Sequence, residues 1–88
     1  MKIDNDFVLQ DLVGEYIAVP IGDAGNRLHG IIRLNESSAF LWNKLIKGVS
    51  SVDELENALS EEYSIDSERS KCDVDAFLTE LNRYKCLV

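Results

Sequence analysis

One histidine, two cysteines and one proline in 88 residues leave this sequence short of the side chains on which most chemistry depends. His29 has no second histidine with which to form a metal pair and no nucleophile beside it. Next to a glycine in a strand-like stretch, it reads as a surface or partly buried polar group. Cys72 and Cys86 lie fourteen positions apart, in neither a C-x-x-C pair nor a zinc spacing. On a single helix that separation would be roughly 20 Å, beyond disulfide reach. Two unpaired thiols and the lack of a secretory leader lead us to expect a reducing, cytoplasmic setting. No apolar run approaches the length of a membrane span. Asp4 and Asp6 flank Asn5, but no calcium-loop glycine or bidentate glutamate follows at the required spacing. The glycines form neither a phosphate loop nor a dinucleotide fingerprint. We therefore expect no catalytic residue, no metal and no cofactor.

Basic residues are also scarce. Nine Lys and Arg stand against sixteen Asp and Glu, a net charge of −7. Residues 1–34 carry three bases and five acids, 35–63 two and six, and 64–88 four and five. No third of the chain is basic, which argues against phosphate-backbone binding. A peptide or protein with some positive character is the better electrostatic match.

The chain is nevertheless 45% hydrophobic, enough for one modest core, and 1–88 reads as a single domain. Phe7–Leu12 and Glu15–Pro20 are rich in β-branched and aromatic residues and are separated by a Val13–Gly14 corner. Pro20 cannot donate to a ladder and belongs at a strand end or an edge. Gly22–Arg27 is a turn cluster, after which Leu28–Leu34 reads as a third strand. Short connections favour an antiparallel meander whose first and third strands are edges. The period then changes. Asn35 can cap a helix on which Leu41, Trp42, Leu45 and Ile46 recur at helical spacing, and Gly48 is placed to end it. Ser51 and Glu54 have capping-box form before a second helix, with Val52, Leu55, Ala58, Leu59 and Tyr63 on one face. Asp66 can cap a third, whose stripe is Val74, Phe77, Leu78, Leu81 and Tyr84, with Cys72 opposite. Cys86-Leu87-Val88 is an apolar tail expected to fold back on the core. The fold expected is α+β: a three-stranded antiparallel sheet followed by three helices, like a winged helix-turn-helix.

That topology admits a DNA-binding regulator, in which the third helix would read base edges and should be cationic. Residues 66–85 instead hold five acids against four bases. An accessory oligomerisation domain, with a homodimer formed through the open strand edge, is the other alternative.

The ordered set Phe7-Val8-Leu9, Gly14-Glu15-Tyr16, Gly30-x-x-x-Leu34-Asn35-Glu36, Ala39 to Leu45 with Trp42, Val52-Asp53-Glu54-Leu55 through Glu62-Tyr63, and Val74-x-x-Phe77-Leu78-x-x-Leu81 resembles PqqD-type proteins over nearly the whole chain. One departure is Tyr84-Lys85-Cys86, where the family usually has a glycine before the last apolar residues. The resemblance implies a RiPP recognition element, a non-catalytic peptide chaperone. Such a domain binds the leader segment of a ribosomally synthesised precursor peptide and presents it to a radical SAM iron–sulfur maturation enzyme. It implies that the leader adds as a strand beside the third β-strand and packs against the third helix. On this sequence those positions are Gly30, Ile31, Ile32, Arg33 and Leu34 on the strand, and Asp73, Val74, Phe77, Glu80, Leu81 and Tyr84 on the helix. Alternation sends Ile32 and Leu34 inward and Ile31 and Arg33 outward. Val74, Leu78 and Leu81 read as core first and Trp42 as a core anchor. Phe77 and Tyr84 form a flank beside Asp73 and Glu80.

Overall fold

The computed structural model describes residues 1–27 and 31–88. β1 (Phe7–Leu12) and β2 (Glu15–Pro20) pair antiparallel in a register running from Phe7↔Pro20 to Leu12↔Glu15. The two residues between them, Val13 and Gly14, have φ of 46° and 84°. Left-handed values at both central positions match the right-handed twist of the flanking strands, so the strands leave the corner in register. β2 pairs on its other side with β3 (Ile32–Leu34) through Tyr16↔Leu34, Ile17↔Arg33 and Ala18↔Ile32. The sheet order is β1-β2-β3, the expected meander with β3 at one edge. Phe7, Ala18 and Ile32 are buried on the inner face, and Leu9 and Leu34 pack against that layer.

Two expectations are corrected here. Gly22–Arg27 is not merely a turn: it forms the short helix α1, with Asp23 in its first turn. The backbone ahead of it is tied down where the Ile21 amide donates to the Asp6 carbonyl at 2.7 Å, and Gly25 then donates to Ile21 at 3.2 Å. That tertiary anchor lets turn-forming residues complete helical turns despite two glycines. The third strand, expected over Leu28–Leu34, is a strand only from Ile32 to Leu34 in the described residues. Ile31 precedes it, while Leu28, His29 and Gly30 lie outside the described residues.

The three long helices begin where their caps place them. α2 (Glu36–Lys47) starts at Asn35, whose Oδ1 accepts from the Ser38 amide at 2.8 Å and from the Ser37 hydroxyl at 3.1 Å. α3 (Val52–Tyr63) starts at Ser51, whose hydroxyl accepts from the Glu54 amide at 3.4 Å. The Glu54 carboxylate reaches back to the Ser50 amide rather than to Ser51 itself. α4 (Ser67–Arg83) starts at Asp66, which accepts from the Arg69 amide at 2.8 Å. Each cap satisfies an amide that the first turn leaves without an intrahelical partner. No helix among the described residues is long and apolar enough to cross a membrane.

Trp42 is fully buried and meets Phe7 edge-to-face, with ring centroids 6.4 Å apart, so it joins the sheet to the helical layer. Leu41, Leu45, Leu55, Leu59, Val74 and Leu81 complete the centre of the core. Ile46 and Val52, expected to face inward, are exposed. Ile46 lies one residue past Leu45, about 100° further round α2 and off its buried face. The face that α4 buries is Ser70, Val74, Phe77 and Leu81. Its centre is rotated toward Phe77, which is only 6% exposed, and away from Leu78. Buried Ser70 is satisfied by donating its hydroxyl to the Glu56 carbonyl of α3.

The end of α4 explains the absent glycine. Lys85 takes φ 56°, the conformation that glycine adopts most easily. Its amide donates to Asn82 at 3.1 Å while the Cys86 amide donates to Leu81 at 2.9 Å. These are the two bonds of a Schellman motif, and the two positions between which such motifs usually make an apolar contact, Cys86 and Leu81, are both buried in the core. The chain then returns to the core as expected. Asp4 donates to Cys86 at 2.7 Å, Val88 donates to Lys2 at 2.9 Å, and Ile3 and Leu87 form an antiparallel bridge.

Candidate functional site

The edge of β3 away from β2 has no strand beside it among the described residues. Alongside it runs a groove of about 360 Å³. One wall is Arg33, Leu34 and the start of α2 (Asn35, Ser37, Ser38), and the other is α4 from Arg69 to Leu81. The strand-to-helix junction creates this wall. Asn35 follows Leu34 directly and caps α2, so no slack separates the last strand residue from the first helical turn.

Of the residues expected at a site, Arg33, Leu34, Asp73, Phe77, Glu80 and Leu81 come together around the groove. Ile32 and Val74 lie in the core beneath it, Val74 with no exposed surface. Ile31 is about half exposed, immediately before β3 and outside the groove lining. Tyr84, at the C-cap of α4, is half-buried against the core and is not among the lining residues. Gly30 lies outside the described residues.

Arg69, Ala76, Asn35, Ser37 and Ser38 also line the groove. The first two were detectable in the sequence. Arg69, Asp73, Ala76 and Glu80 recur at i, i+4, i+7 and i+11, a single row beside the buried stripe. With the stripe centred on Leu78, that row points away from β3. With Phe77 in the stripe, it faces β3. Ala76, the smallest side chain of the row, leaves space between the two charged pairs.

The groove's charges are paired loosely. Arg69 Nε stands 3.8 Å from Asp73 Oδ2, and Arg83 stands 3.6 Å from Glu80. On the outer face of the sheet Arg33 reaches Glu15 at 3.9 Å. All of these pairs are substantially exposed, and such pairs contribute roughly 0–1 kcal/mol. An incoming cation could replace either arginine at little cost. Among the described residues no group of three or more His, Cys, Asp or Glu is placed to hold a metal ion. Cys72 is exposed and Cys86 buried, and no disulfide joins them. The chemistry available here is binding: an unpaired strand edge, an apolar floor of Leu34, Phe77 and Leu81, and a polar rim.

A second trough of about 460 Å³ continues from the first. It shares Asn35, Ser37, Arg69 and Asp73 with the groove and adds Glu36, Leu59, Tyr63 and Ile65. The Tyr63 ring is held edge-to-face by Phe40, with centroids 5.8 Å apart. Its hydroxyl is pushed above the usual tyrosine pKa, first by burial and then by the negative charges of Glu36 and Glu62 and by Tyr16.

The family model for coenzyme PQQ synthesis protein D (PqqD) matches residues 8–87. The chain belongs to the PqqD family. Its fold is similar to that of TbiB1, solved in complex with the TbiA(beta) leader peptide. The TM-score is 0.77 at 23% sequence identity, over 99% of this chain and 94% of that one. No curated protein matches the sequence significantly.

Proposed function

We propose that this chain is a non-catalytic, cytoplasmic peptide chaperone. It captures the leader segment of a ribosomally synthesised precursor as a fourth strand on β3, packed against α4, and presents it to a radical SAM maturation enzyme. The observation that carries this reading is the groove itself. The free edge of β3 and the Arg69–Glu80 row of α4 flank one channel with an apolar floor. Membership of the PqqD family and a fold shared with a protein solved with a leader peptide bound support the same reading.

Magnitudes say how such a site must divide its affinity. Three strand residues offer about three main-chain hydrogen bonds at roughly 0.5–1.5 kcal/mol each. Micromolar binding requires about 8 kcal/mol. Burying one large apolar side chain over Leu34, Phe77 and Leu81 contributes roughly 1.5–3 kcal/mol at most, so the remainder must come from more than one side-chain contact. Main-chain pairing thus sets the peptide's path, and the groove selects the sequence.

The test is titration of the isotope-labelled protein with the leader of the precursor encoded beside its gene. Amide shifts should concentrate in residues 31–34 and 69–81. If no neighbouring precursor binds, the proposal fails. On α4, Glu68, Asp73, Asp75 and Glu80 outnumber Arg69, Lys71 and Arg83, so we assign no duplex partner. Binding to duplex DNA that falls steeply with added salt would overturn that assignment.

A further inference from the structure

The trough beyond Asn35 is larger than the groove beside β3, yet it lies past the end of the strand and cannot take part in strand pairing. We propose that it is a second subsite, which receives an apolar side chain, accompanied by a lysine or arginine, from the peptide residues immediately preceding those that pair with β3. This deepens the peptide-capture reading and rests on it.

Direction follows from topology. Both strand pairs in the sheet are antiparallel. A fourth strand added in the same sense starts opposite Leu34, so the residues before it pass Asn35 and enter the trough. Four shared lining residues make the two spaces one channel along α4, from Leu81 at one end to Arg69 at the other.

The walls are built before any ligand arrives. Tyr63 is fixed by Phe40, and Leu59 beneath it is fully buried. Ile65 is fixed through its carbonyl, which accepts from the Ser60 hydroxyl at 2.7 Å, and Ser64 turns the chain with φ 52°. A preformed apolar wall lowers the ordering cost of binding. The charge is one-sided: Glu36 and Asp73 border the trough against Arg69 alone, and Arg69 already leans on Asp73. The raised Tyr63 ionisation reports part of the same negative field. Such surroundings favour a cationic neighbour of the buried apolar group.

The experiment is a nested series of synthetic peptides from the precursor encoded beside the gene, each end shortened residue by residue, titrated by fluorescence anisotropy. Restoring the residues before the strand-forming segment should tighten binding at least tenfold. It should also extend the amide shifts to Glu36, Tyr63 and Ile65. Tyr63→Ser should abolish that gain while leaving the affinity of the short peptide unchanged, which also shows that the variant is folded. Glu36→Lys should weaken only the extended peptide, by severalfold. Equal affinity of short and extended peptides for the unaltered protein would overturn the second subsite and leave the strand-addition reading standing. If no member of the series binds, both are overturned.

Discussion

Val13 occupies a backbone conformation for which valine is poorly suited, and replacing it should make the protein markedly more stable. Its φ of 46° is left-handed, and its side chain is fully solvent-exposed at the tip of the β1–β2 corner. A β-branched side chain in this region crowds the adjacent carbonyl at a cost of about 1–2 kcal/mol. Asparagine tolerates the conformation, and Asn-Gly is the favoured pair for a two-residue hairpin. Val13 has no buried surface to lose, so Val13→Asn should recover most of that amount. For a domain of this size each kcal/mol moves Tm by roughly 4–8 °C, so a rise of about 5–15 °C is expected. Thermal melts and urea titrations should agree, with the slope of the urea transition unchanged. Leu12→Asn is the control, since it makes the same change of polarity one residue earlier, inside β1. If both variants raise Tm equally, the gain comes from surface polarity and not from backbone relief. An unchanged or lower midpoint for Val13→Asn would refute the reasoning outright.

Lys85→Gly should stabilise by about 1 kcal/mol on the same logic, because Lys85 holds φ 56° in the Schellman turn that closes α4; the urea midpoint reads this directly. Asn35→Ala removes the acceptor for Ser38 and Ser37 and should cost about 1 kcal/mol. It should also weaken peptide binding, because Asn35 lines both troughs. Asn35→Asp should leave stability near that of the parent. The raised Tyr63 pKa gives a pH dependence of definite sign. The fold favours the neutral phenol, so this contribution is fully present below the unfolded-state value near 10 and is lost as pH rises through the folded value. Stability measured above about pH 10 should therefore fall less steeply in Tyr63→Phe than in the parent.

The parts of this fold that were legible in the sequence are those decided locally. Asn35, Ser51 and Asp66 all act as caps because one short polar side chain followed by a helical run suffices to place a helix start. The hairpin corner and the three-strand order followed from residue type and short connections. What escaped was decided by tertiary contact. Gly22–Arg27 has the composition of a turn and becomes helical once Ile21 is bonded to Asp6. The α4 stripe was visible, but its rotation was not. Val74 and Leu81 fit a face centred on either Phe77 or Leu78, and it is Phe77 that tertiary packing buries. That rotation turns the Arg69–Glu80 row into the groove, while Tyr84 stands beyond the last turn of α4, past the end of the lining at Leu81.

The same geometry weighs against a pairing of two copies through the open sheet edge. Two copies joined through β3 would gain about three main-chain bonds each way at best, worth a few kcal/mol. That falls short of the 4–15 kcal/mol that association costs in lost freedom. Arg33 on the edge and a net charge of −7 oppose the approach further. α4 stands alongside the edge, so a second copy would have to fit its own helix into the same channel. A single extended peptide incurs the association cost as well, but it has no helix to fit into the channel and need not carry the same negative charge. It pairs with the same backbone, sets side chains over Leu34, Phe77 and Leu81, and can bring the positive charge that the protein lacks. The short strand and the neighbouring helix therefore act together: the first makes main-chain pairing too weak to hold just any edge, and the second reserves the remaining affinity for a chain whose side chains fill the groove.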